Sequence, residues 1–99
     1  MNNKLILLPL AKNDVSKVFR WYERQSRGLG SRFLSEMDDG FESIRCFPES
    51  YEIIHANYHR ALVNKFPYAI YFEHLNDEVI VYAVIHTSRH SRAWRRRLP

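Results

Sequence analysis

Ninety-nine residues, 45% hydrophobic and 14% aromatic, suit one domain with a packed core and exclude wholesale disorder. There is no run of about eighteen apolar residues, which excludes a transmembrane helix, and the single cysteine, Cys46, excludes an internal disulfide and a multi-cysteine zinc site. The net charge of +4 is unevenly divided: residues 86–99, HTSRHSRAWRRRLP, hold five arginines and no acid, whereas residues 1–85 hold ten bases and eleven acids.

The first element in chain order is the apolar run Leu5–Leu8, ended by Pro9, which reads as a short strand. The run is too short for a secretory signal and no small-residue cleavage site follows, so a cytoplasmic location is expected. Asn13 and Asp14 are good N-cap residues for a helix whose apolar face is Val15, Val18, Phe19 and Tyr22, and Gly28 and Gly30 end it. Ser31 is placed to cap a second helix with Phe33, Leu34, Met37, Phe41 and Ile44 on its apolar face, Asp38, Asp39 and Glu42 outward, and Pro48 at its end. So short a loop predicts an antiparallel helical hairpin. Gly40 inside the second helix costs about 1 kcal/mol relative to alanine, and the sequence offers no reason for it.

Residues Phe47–Asn57 read as a connector containing the apolar pair Ile53 and Ile54. Tyr58–Asn64, Tyr68–Leu75 and Val79–His86 are rich in aromatic and β-branched residues and read as strands, the last two joined by a tight turn at Asn76-Asp77. The order is β-α-α-β-β-β, an α+β fold with a helical hairpin packed on an antiparallel sheet.

Several segments, taken in this order, resemble the RelE/ParE superfamily, the toxic halves of type II toxin–antitoxin modules. They are Ala11-Lys12-Asn13-Asp14; Trp21-Tyr22-Glu23 followed by Gly28-Leu29-Gly30 and Phe33-Leu34; Arg60-Ala61-Leu62 leading to Phe66-Pro67-Tyr68-Ala69-Ile70-Tyr71; and His86-x-x-Arg89 with Trp94. The resemblance implies a toxin neutralised in a hetero-oligomeric complex with a cognate antitoxin. It also implies one of two activities: ParE-like inhibition of DNA gyrase, or RelE-like cleavage of mRNA on the ribosome.

Metal-free RNA cleavage needs a base, an acid and cations for the phosphorane. The strands carry no lysine pair; their cationic candidates are His59, Arg60 and Lys65. A ribonuclease would draw on Arg60, His86 and Arg89. The tail, His86-x-x-Arg89 then Trp94 and a basic run, is closer to ParE, although His90 and Ser91 stand where that family often has an acid or amide and a proline. On the ParE reading the target-binding residues are Arg89, Arg92, Trp94, Arg95, Arg96 and Arg97. No cofactor motif is present, and His55 and His59 lack a third ligand for a metal. Pairing of Arg60 with Glu73 or Asp77 is the structural alternative for that arginine. The arginine run reads as a tail whose removal from Arg95 onward leaves the fold intact.

Overall fold

The computed structural model describes residues 3–98. Strand β1 (Lys4–Leu7) leads into helix α1 (Pro9–Gln25), and α2 (Leu29–Cys46) returns beside it. A 3-10 turn (Pro48–Ser50) precedes β2 (Glu52–His55), β3 (Tyr58–Leu62), β4 (Tyr68–Leu75), β5 (Glu78–His86) and a final helical turn, α3 (Arg92–Arg95). The α+β class and the helical hairpin on a sheet are as expected. The sheet itself has five strands in the order β1-β5-β4-β3-β2, and it is mixed: β1 lies parallel to β5 while the other neighbours are antiparallel.

Three local expectations are corrected. Helix α1 begins at Pro9, not after Asn13-Asp14, because proline has φ preset for the first helical position and lacks the amide that would go unbonded there. Helix α2 begins at Leu29, ahead of Ser31, with Gly28 as its N-cap at φ 87°. The carboxylate of Glu23 does the capping: its two oxygens accept the Gly28 and Gly30 amides at 2.9 Å each. The connector holds a strand, β2, joined to β3 by the turn Ala56-Asn57, with Ala56 at φ 49°. Alanine gives no turn signal, so the sequence concealed this hairpin.

Two glycines mark close approaches. A Cβ on Gly30 would sit 2.7 Å from the Phe19 carbonyl oxygen, so α1 and α2 cross at a point only glycine permits. A Cβ on Gly40 would lie 3.1 Å from Ile70 Cδ1, which explains the glycine inside α2: the helix rests directly on β4.

The sheet is buried on both faces. On one, Phe33, Met37 and Ile44 of α2 pack against Ile70, Phe72, Val79, Val81 and Val84. On the other, Ala69, Tyr71, Ala83 and Ile85 are covered by Trp94 and Leu98 from the C-terminal segment. Strand β5 serves both layers through a bulge: Tyr71 pairs Ala83 and Phe72 pairs Val81, leaving Tyr82 as the extra residue and switching which face the later side chains meet.

Candidate functional site: a cationic cleft at the C-terminal end

The basic segment is folded onto the body. Trp94 is 8% exposed and stacks on Tyr71 with ring centroids 6.1 Å apart, and the Arg95 guanidinium lies over the indole ring at 5.1 Å. Arg97 makes a forked pair with Asp14 (Nη1–Oδ1 3.2 Å, Nη2–Oδ2 2.9 Å) and donates a third bond to the Tyr82 carbonyl at 3.1 Å. Asp14 Oδ2 also accepts the Val84 amide at 2.9 Å. Asp14, read in the sequence as a helix cap, is therefore the anchor of the chain's last turn. Arg97, read as a target contact, is engaged internally.

The remaining arginines differ. Arg89, Arg92, Arg95 and Arg96 are exposed, and no ion pair among the described residues holds them. Between α1, the end of β5 and α3 lies a cleft of about 380 Å³ whose walls include Lys17, His86, Arg89, Arg96 and Arg97. Among the described residues Asp14 is the one acid that lines it, and that carboxylate is already paired with Arg97. The cleft is thus a concentrated positive field over an apolar floor of Val18, Val84 and Ala93.

The three residues that a ribonuclease would use are not assembled. Arg60 on β3 pairs in register with Tyr71 and shares its face, the one covered by Trp94. His86 pairs with Tyr68, which packs with the helices on the opposite face. Arg60 is held by Glu52 of the neighbouring strand (Nη2–Oε1 2.7 Å), not by Glu73 or Asp77. His86 and Arg89 do share the cleft. His86 Nδ1 accepts the Ser88 amide at 3.0 Å, so Nδ1 is already engaged in the local turn. His59 is a core residue, 6% exposed, stacked on Phe72 and bonded through Nδ1 to the Tyr51 carbonyl. Lys65 sits in a loop beside Glu36 at 3.6 Å. His55 is exposed on the edge strand β2, and no metal-holding group of three His, Cys, Asp or Glu occurs among the described residues.

The sequence reading missed two participants. Lys17, on the polar side of α1, becomes a wall of the cleft. Trp21 stands one helical turn further on, half exposed, edge-on to Tyr22 at 5.1 Å. It lines a second hollow of about 340 Å³ with Tyr22, Pro67, Tyr68 and His86. The helical spacing of Lys17 and Trp21 was the available signal. Nothing in the sequence said that the C-terminal turn would come to face this side of α1.

Comparison with known proteins agrees with this architecture. The family model for the ParE toxin of type II toxin–antitoxin system, parDE, matches residues 5–91. A solved structure described as the chromosomal ParDE TA system from P. aeruginosa is similar in fold. Its TM-score is 0.75 at 8% identity, over 85% of this chain and 95% of that one. No curated protein matches.

Proposed function

The chain belongs to the ParE toxin family of type II toxin–antitoxin systems, and from that premise we propose that it inhibits DNA gyrase by binding and is neutralised by a cognate antitoxin. The observation that carries this reading is the placement of the charged groups. Arg60 lies across the sheet from His86, so these two residues form no joint acid–base and phosphorane-binding set. Arg89, Arg92, Arg95 and Arg96 instead project from one end of the molecule, on a turn anchored by Trp94 and Arg97. A preorganised cationic surface of this kind suits recognition of an acidic target.

On this reading Arg89, Arg92, Arg95 and Arg96 meet the target, while Trp94 and Arg97 hold them in place. The antitoxin forms a hetero-oligomer with the toxin in the cytoplasm, where gyrase works. No helix among the described residues is long and apolar enough to cross a membrane, and the proposal requires none.

The test is a gyrase supercoiling assay run beside ribosome-dependent mRNA cleavage. Loss of supercoiling with accumulation of broken DNA is expected, and His86→Ala should retain most of that effect because no proton passes through the side chain. Wild-type cleavage of mRNA on ribosomes, lost by 100-fold or more in His86→Ala, would overturn the proposal in favour of a ribonuclease. Failure to co-purify with the product of the adjacent reading frame would remove the antitoxin part.

A further inference from the structure

The two hollows flanking His86 form one groove. They share Tyr68 and His86 as a common wall, and along the facing side α1 presents Lys17 and Trp21 four residues apart, about 6 Å along the helix axis. One end is cationic: Lys17, Arg89 and Arg96 are exposed, and among the described residues its one lining acid, Asp14, is already paired with Arg97. The other end is an open aromatic shelf, on which Trp21 is half exposed and the His86 and Tyr68 rings meet edge to face at 5.1 Å.

We propose that this groove binds single-stranded DNA, with a phosphate between Lys17, Arg89 and Arg96 and the adjoining base on the Trp21 shelf. Cations tracking a phosphate backbone beside an exposed aromatic face are the physical requirements for holding a single strand. A duplex satisfies the cations but keeps its base faces stacked and hidden. An acidic peptide without aromatic residues, such as oligoglutamate, also satisfies the cations, but its side chains offer no aromatic face to an indole. Each hollow has room for a small-molecule-sized group. Only the choice of DNA over RNA rests on the gyrase reading. The groove's fit to a single strand stands on its own geometry.

The experiment is fluorescence anisotropy with a labelled ten-nucleotide single strand of mixed sequence, on the whole chain and without gyrase, so its outcome is independent of gyrase inhibition. Binding at low salt is expected, about tenfold weaker for Trp21→Leu and largely kept by Trp21→Phe. Arg89→Gln and Arg96→Gln should each lower the log–log salt slope by about 0.7. Lys65→Gln, an exposed cation outside the groove, should bind as wild type. All five substitutions are at exposed positions, and unchanged circular dichroism melts establish that each variant is folded. Absence of binding, indifference to Trp21→Leu, tighter binding of a duplex of equal length, tighter binding of the RNA strand, or displacement by an equimolar oligoglutamate would each overturn the proposal.

Discussion

Asp14 and Arg97 stand 83 positions apart and form a forked ion pair that ties the last turn of the chain to the first helix. The same carboxylate accepts the Val84 amide, and the same guanidinium reaches the Tyr82 carbonyl, so the pair also fixes the strand at its bulge. Both side chains are mostly buried, Asp14 at 18% and Arg97 at 24% exposure, which makes this pair less screened than an ordinary surface contact. The arrangement turns an arginine-rich tail into an ordered surface.

Arg97→Ala should therefore destabilise the protein by about 1.5–3 kcal/mol, the usual worth of hydrogen bonds to charged groups. Arg96→Ala, one residue away and exposed, should stay within about 0.5 kcal/mol of wild type. Urea denaturation of the two variants checks this. Asp14→Asn should be as costly as Arg97→Ala. The swap Asp14→Arg with Arg97→Asp should recover only part of the loss, because arginine cannot accept the Val84 amide. Truncation from Arg95 onward, expected from the sequence to be nearly neutral, should behave like Arg97→Ala or worse.

Tyr82 provides a stabilising substitution. It is 2% exposed, its hydroxyl has no hydrogen-bond partner among the described residues, and burial pushes its phenol well above the ordinary tyrosine range. Its ring meets Tyr58 edge-on at 5.4 Å, so the ring itself is well packed. Tyr82→Phe keeps that packing and removes a buried polar group, and should raise stability by about 1 kcal/mol. A fall in melting temperature would show that the hydroxyl is bonded after all, for instance to a buried water.

The parts of this fold legible in the sequence are those set by local chemistry. Helix faces such as Val15, Val18, Phe19 and Tyr22 follow a 3.6-residue period, and the Asn76-Asp77 turn announces itself because asparagine tolerates positive φ, here 56°. What stayed hidden depends on distant partners. Asp14 looks like a cap because caps are local, whereas its real partners lie 70 and 83 positions away. Gly40 makes sense only once Ile70 is placed against it. For the candidate site, the arginine cluster and His86 were visible from composition and pattern, but the division of that cluster into exposed residues and one internal anchor was not. The opposite-face placement of Arg60 and His86 needed the strand register.

The hairpin between β2 and β3 carries a backbone cost that can be relieved. Ala56 sits at φ 49°, a left-handed conformation disfavoured for alanine by roughly 1–2 kcal/mol. Ala56→Gly removes that strain at some cost in unfolded-state entropy. A net gain of about 0.5–1 kcal/mol is expected by thermal melting, together with slower amide exchange in β2. Loss of stability in the glycine variant would mean that the methyl group is packed, contrary to its exposed position.

Glu23 yields the pH prediction. Its carboxylate lies below the usual range chiefly because it accepts the Gly28 amide, with further help from the Gly30 and Ser31 amides and the nearby Arg27. A carboxyl depressed in the folded state binds fewer protons there than in the unfolded chain. Its stabilising effect is fully present above the unfolded value, near about 4.3, and is lost as pH falls through the lower folded value. Glu23→Gln leaves one weaker acceptor for two amides and removes the charge at the start of α2, so it should lower the melting temperature at pH 7. The gap between wild type and variant should then narrow steadily as pH is lowered from about 5 to 3. Melting curves of both proteins across that interval provide the measurement. A gap independent of pH would show that Glu23 acts through shape alone, and one that widened toward acid would reverse the assigned direction of its shift.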